Sequence, residues 1–315
     1  FTKKTAEKVK GVFVPFDYMV YADHVSIEAY KGEDSQIVFP SSLFGRKVTA
    51  VCENGTRSDP FRYHIKSVVF PDSIEIIGER SFSEAEELET VVWPKSLKRI
   101  GARAFQNTMM SEIVLPDGVE TIGRYAFCHN DYLKKVVLPK GVTFIDEAAF
   151  YECSNLEEVS LPENVVMESS VFNDTKWIWN QRNEFLTDAN QTLYWYNSKE
   201  QVIEIPEGIK RISSGALEGC ICAEIIILPE SVETVDSYAL KAVEDVSKYF
   251  VFRNPDIILE ENCIFIYRQY EGSVITLVSP EGASAQQYIE RLKEENQQLQ
   301  MQIVKLETEK KNHWK

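Results

Sequence analysis

Histidine, cysteine and positive charge are scarce in this chain, and each shortage excludes a class of chemistry. The four histidines, His24, His64, His129 and His313, lie far apart, and the one close Cys/His pair, Cys128–His129, has no second pair at zinc-ligand spacing to accompany it. Six cysteines in 315 residues are too few for a small disulfide-stapled scaffold, and Cys220 and Cys222, one residue apart, do not form paired CxxC ligands. Lys and Arg number 34 against 49 Asp and Glu, a formal charge of −15 that repels phosphate backbones and anionic lipid, so nucleic acid is not expected as a partner. No apolar run approaches the roughly 20 residues that span a bilayer, and the opening FTKKTAEKVKG is not the hydrophobic core of a secretory signal. A GxSxG elbow, a phosphate-cradling glycine loop and an HExxH helix are all missing. Acidic neighbours such as Glu86–Glu87 and Glu157–Glu158 do not converge across a cleft as a glycoside-cleaving pair must. The expectation is a non-enzymatic protein with no catalytic residue, no metal and no cofactor.

What is plentiful is repetition, which is tested first because missing it misassigns the fold. The passages LKRIGARAF and VETIGRYAF say nearly the same thing in succession. Setting the repeated prolines in register gives Pro71, Pro94, Pro116, Pro139, Pro162, Pro206 and Pro229, spaced 23, 22, 23, 23, 44 and 23 residues apart. Eleven positions after Pro stand Phe82, Phe105, Phe127, Phe150, Leu217 and Leu240, with Phe172 at ten in a unit shortened by one residue. Six positions after Pro stand Ile77, Ile100, Ile122, Ile145, Ile212 and Val235, with Met167 in the shortened unit.

Before each Pro runs a short β-branched segment such as TVVW, EIVL or KVVL, whose alternation fits a half-buried strand. Proline then ends the strand, because it has no N–H for a ladder. Gly78, Gly101 and Gly123 follow the Ile and read as tight turns that need positive φ, while Asp146, Ser213 and Asp236 hold that place in other units. One unit is too small to bury its apolar side alone. Stacked copies share a continuous core, with parallel strands along one face and the phenylalanines as an internal column.

The pattern LxxVxLPxxVxxIGxxAF, seen in LKKVVLPKGVTFIDEAAF and SEIVLPDGVETIGRYAF, resembles the BspA-like leucine-rich repeats of bacterial and some protozoan surface proteins. The likeness runs from about Asp17 to Tyr288. It implies a leucine-rich-repeat solenoid, β-rich and of the α/β right-handed superhelical type, used for adhesion or protein recognition at the cell surface or after secretion, without a shared catalytic centre. A cytoplasmic location stays open.

The expected organisation is an N-terminal β cap over 1–64, a repeat solenoid over 65–244 interrupted by an aromatic insert at 173–201, a C-terminal cap over 245–282, and a helical segment over 283–315. That last segment spaces Leu292, Leu299 and Leu306 seven apart, with Ile289, Asn296 and Ile303 three before each. This heptad with an Asn at one a position is expected either to pair as a parallel homodimer or to remain a solvated amphipathic helix.

Three surfaces are candidates for binding. If the strands stack, Thr90, Glu112, Lys135 and Glu158 form one outward column, and Val69, Val92, Val114, Val137 and Ile227 belong to the next. A contiguous apolar stripe with polar borders marks an interaction site for a protein ligand, such as a host or matrix protein; plain β-propensity also places Val in strands. The insert gathers Trp177, Trp179 and Trp195, which read either as a stacking platform for a glycan or as rings of a hairpin, FLTDANQTLYWY, packed on the end of the sheet. The heptad residues are the third candidate, for dimerisation.

Overall fold

The computed structural model describes residues 2–4, 7–9, 12–56, 60–61, 64–181, 185–242, 248–254, 257–260, 264–266 and 275–278. They fall into two compact units, Phe1–Asn197 with Ile212–Gly219, and Ser198–Arg211 with Cys220–Lys315.

In the first unit every repeat makes two strands rather than one. The β-branched segments before Pro form the strands Ser67–Val69, Thr90–Val92, Glu112–Val114, Lys135–Val137 and Glu158–Ser160. After Pro the chain turns, with the N–H three residues on donating to the proline carbonyl, as from Ile74 to Pro71 and from Leu97 to Pro94, both 3.1 Å. It then forms the two-residue strands Ile76–Ile77, Arg99–Ile100, Thr121–Ile122, Phe144–Ile145 and Val166–Met167. These short strands pair in parallel, so that Ile77, Ile100, Ile122, Ile145 and Met167 fall in one register and are all buried. The repeats therefore carry parallel pairing on two faces, which corrects the expectation of one.

Between the ladders the phenylalanines stack. Ring centroids lie 5.2 Å apart from Phe82 to Phe105, 5.5 Å to Phe127, 5.2 Å to Phe150 and 5.3 Å to Phe172, with planes within 10° of parallel. A residue placed identically in each turn sits about one strand spacing from its counterpart, which sets the rings face to face with an offset. Phe61 continues the stack beneath Phe82 at 4.8 Å, and Trp177 meets Phe172 edge-on at 4.9 Å.

The glycines do a different job from the one expected. None of Gly78, Gly101 and Gly123 has φ in the left-handed region. A Cβ would lie 1.7 Å from the Cys52 carbonyl oxygen at Gly78, 2.6 Å from the Glu79 nitrogen at Gly101 and 2.7 Å from the Ala102 nitrogen at Gly123. They are glycine because consecutive turns touch backbone to backbone there. Where Asp146 and Asp236 take the place, each carboxylate finds a donor: the Glu147 N–H at 2.8 Å and the Arg211 Nε at 2.7 Å. Left-handed backbone falls instead on Arg80, Arg103, Tyr125, Ala148 and Ser170, and again four residues later on Glu84, Asn107, His129, Glu152 and Asp174. Bonds to the next turn, such as Arg80 N–H to Ala102 O at 2.9 Å and Glu84 N–H to Gln106 O at 2.8 Å, hold these bends in place.

One irregularity shapes the face of the three-residue strands. The stretch from Phe105 to Pro116 is one residue shorter than its counterparts, and there the ladder breaks: Gln36–Val38, Ser67–Val69 and Thr90–Val92 make one sheet, and Glu112–Val114, Lys135–Val137 and Glu158–Ser160 another. Asn130, fully buried, seals the shortened loop. Its Oδ1 accepts from both the N–H and the hydroxyl of Thr108, and its Nδ2 donates to Phe105 O at 3.0 Å.

At the N-terminal end the antiparallel pair Phe16–Val20 and His24–Tyr30 lies beside Arg46–Val51, which pairs in parallel with Ile76–Ile77 and so covers the edge of the short-strand ladder. At the other end of the five repeats, Thr175 caps the helix Lys176–Asn180 by accepting from Ile178 N–H. The hairpin Leu186–Thr187 with Thr192–Trp195 follows, its turn closed by Asp188 Oδ1, which accepts from the N–H groups of Asn190 and Thr192. The Tyr194 hydroxyl donates to the Met167 carbonyl.

In the second unit Val202–Glu204, Ile225–Leu228, Lys248–Phe252 and Ile275–Val278 run as a parallel sheet, the last two strands lying in the stretch read as a C-terminal cap. Among the described residues Lys176–Asn180 is the one α-helix, which corrects the α/β character expected of the turns: bends, not helices, return the chain. The heptad residues Ile289, Leu292, Asn296, Leu299, Ile303 and Leu306 lie outside the described residues.

Candidate recognition surface

Alternation in the three-residue strands turns the middle residue inward and its neighbours outward. Val68, Ile113 and Val136 are fully buried. On the outside, Val38, Val69 and Val92 share one register across the first sheet, and Val114 and Val137 share it in the next. Val69 and Val137 lie between neighbouring strands and are half-buried. Val38, Val92 and Val114, on strands at sheet edges, expose 62%, 51% and 50% of their surface. The break left by the shortened loop thus sets two open valines side by side in the sequence of turns. Val38 was missed in the sequence, although it stands two residues before Pro40 just as Val69 stands two before Pro71.

The column beside the valines is polar. Thr90, Glu112 and Glu158 are exposed, and Lys135 pairs with Glu112 at 3.3 Å across adjacent strands. This arrangement offers an apolar strip of modest width next to charges of mixed sign.

Ile227 does not belong to that surface. It is 1% exposed and packs with Ile225, Val251 and Val202 in a small cluster of its own within the second unit. Its strand, Ile225–Leu228, is buried on both faces, as a continuous apolar run in a parallel sheet usually is.

The tryptophans of the insert do not form a flat platform. Trp195 is 1% exposed, Trp177 packs against Phe172, and Trp179, 42% exposed, stands edge-on to Trp195 with centroids 4.8 Å apart. Phe185 and Tyr196 stack on each other at 4.0 Å.

Burial pushes the Cys128 thiol up to about 12 and raises those of Cys52 and Cys153 as well, which leaves them unreactive thiols. Cys153 Sγ donates to Phe127 O at 3.1 Å, the same bond one turn on that Asn130 Nδ2 makes to Phe105 O. His24 sits between Asp23 at 2.8 Å and Glu53 at 3.0 Å, stacked on Tyr21. Burial would lower its pKa, but the hydrogen bonds and charges of Glu53 and Asp23 outweigh that and hold it above the ordinary histidine value. Among the described residues no cluster of His, Cys, Asp or Glu is suited to a metal, and no helix is long and apolar enough to cross a membrane.

A comparison with curated proteins finds no match. Among solved structures, the fold is similar to that of the pneumococcal vaccine antigen PcpA, with a TM-score of 0.54 and 16% identity over 89% of each chain. It is also similar to a leucine rich cell surface protein from Faecalibacterium prausnitzii, with a TM-score of 0.52 and 20% identity over 83% of this chain and 78% of that one. The family model of the BspA type leucine rich repeat region matches in six copies over residues 61–178 and 188–266, more than half of the chain. With two strands per turn, stacked rings and this match over most of the repeats, the chain belongs to the BspA-type leucine-rich repeat family.

Proposed function

We propose that this chain is a non-enzymatic recognition module that binds a protein partner through the outward valine row and the charged column beside it. The observation that carries the reading is the exposure of Val38, Val92 and Val114 on strands whose middle residues turn inward, Ile37 and Ile113 buried and Val91 partly buried against the core. An apolar strip that the protein's own packing leaves open is the kind of surface a partner covers. The mixed charges of Glu112, Lys135 and Glu158 supply the polar rim such an interface uses for specificity. A cell-surface setting, the one named for the Faecalibacterium protein, is part of this proposal.

The test is a panel of purified extracellular-matrix proteins and a glycan array, probed with the wild type, with the double variant Val92→Lys/Val114→Lys, and with Trp179→Ala. The reading expects a panel protein whose capture is lost in the double variant and kept in Trp179→Ala. Absence of any protein ligand, or capture indifferent to the two lysines, contradicts it. Glycan binding lost in Trp179→Ala would assign the activity to the insert instead.

A further inference from the structure

A second surface lies on the outside of the short-strand ladder, away from the valine row in every turn. A groove of about 500 Å³ crosses this ladder, from Glu53 at one end, past Glu79, Arg99 and Thr121, to Phe144 and Asp146 at the other. The register Ala50, Ile76, Arg99, Thr121, Phe144 makes each of these a successive rung. Four steps at a strand spacing of about 4.8 Å give a length of roughly 19 Å, which about five or six extended residues would fill.

Two features make it a site rather than a crease. First, Gly101 and Gly123 line the groove, and neither can carry a side chain, because a Cβ would strike the backbone of the turn before it at 2.6 Å and 2.7 Å. The requirement that stacks the turns therefore also keeps this trough clear. Second, its charges are left open. Neighbouring cations on the same unit are paired one turn away, Lys98 with Glu75 at 2.7 Å and Arg124 with Glu147 at 2.8 Å. Arg99 and Glu79, both exposed in the groove, have no ion-pair partner among the described residues. Three carboxylates, from Glu53, Glu79 and Asp146, face one guanidinium, and His24 already engages Glu53.

We propose that this groove binds an extended segment of a partner protein bearing lysine or arginine. A cationic side chain would lie at Glu79 and another at Asp146, Arg99 would donate to a backbone carbonyl of the segment, and Phe144, half-buried, would supply an apolar wall. The proposal does not depend on the valine row.

The probe is a fluorescein-labelled hexapeptide alternating lysine and alanine, followed by fluorescence anisotropy, with the glutamate–alanine peptide as control. The wild type should bind the lysine peptide and not the glutamate one. Glu79→Gln/Asp146→Asn should weaken binding about tenfold or more, the scale of a lost charge-assisted contact. Glu86→Gln/Glu89→Gln, which removes the same charge at exposed positions outside the groove, should leave it within about twofold. Because Asp146 also accepts from Glu147 N–H, Thr121→Arg serves as a second variant that blocks and repels within the groove while leaving that bond intact, and it too should abolish binding. No binding, an equal loss in both carboxylate double variants, or full binding by Thr121→Arg would each overturn the proposal, the second by showing only general attraction to an acidic chain.

Discussion

The outward positions of the first unit and those of the second occupy the same place before Pro in the repeat and meet opposite surroundings. Val92 and Val114 are half exposed, whereas Ile225 and Ile227 are 3% and 1% exposed. The inner positions differ far less: Ile113 and Val136 in one unit and Ile226 in the other are fully buried, and Val91 and Val159 are partly buried against the core. A repeat therefore fixes what faces the core and leaves the outer face to local circumstance. In the first unit that circumstance is a loop one residue short, sealed by Asn130, that ends a sheet and uncovers its edge strands. In the second it is a strand of four apolar residues with neighbours on both sides.

The largest way to test this contrast is one substitution made at both places. Ile227→Lys buries an unpaired ammonium and should cost about 3–5 kcal/mol or prevent folding. Val114→Lys should change stability by less than about 0.5 kcal/mol. Urea unfolding of the two variants reads the difference directly. Beneath the open row, Phe127→Ala removes one ring from the middle of the column and should cost about 3–5 kcal/mol in the same assay, while leaving Val92 and Val114 as exposed as before. Asn130→Leu leaves the Thr108 N–H and hydroxyl and the Phe105 carbonyl without their partner and should cost about 2–3 kcal/mol. A loss well under that range would mean the shortened loop has other support.

The smallest effect concerns pH. A neutral imidazole has one N–H, yet both ring nitrogens of His24 lie within hydrogen-bond distance of a carboxylate, so the arrangement suits the imidazolium. Its folded pKa is raised, so its contribution should be full below about pH 6.5 and be lost as pH rises through the folded value. The stability gap between wild type and His24→Gln should therefore shrink from pH 6 to pH 8; a gap that widened with pH would reverse the sign.

The repeat was legible in the sequence because its signal is redundant. Seven prolines in register predicted the strands before them, and the residues eleven later predicted the stacked column of Phe82, Phe105, Phe127 and Phe150, as observed. The turn at Asp188 was legible too, since an Asp before Ala-Asn is a turn signal by itself. What failed were inferences about contacts between turns. A glycine recurring after Ile looks the same whether it relieves a backbone angle or makes room for a chain 22 residues away, and the second proved true. Left-handed backbone at Arg80, Arg103 and Ala148 had no residue signature, because the stack imposes it. The second ladder was hidden in two-residue strands too short to alternate. Ile227 was misplaced although IIIL lacks the alternation of KVV or EIV, which was the available warning.

The contrast between the two outer faces rests most directly on native-state thiol labelling. Val92→Cys and Ile227→Cys would each be made in a background with Cys222→Ser and Cys263→Ser, which removes the exposed native thiol at Cys222 and the further cysteine at Cys263. The Val92→Cys protein should react with a maleimide at nearly the rate of a free thiol, and the Ile227→Cys protein should react only as it unfolds. Equal rates at the two positions would contradict the account, for then the open valine row would not be a distinct surface at all.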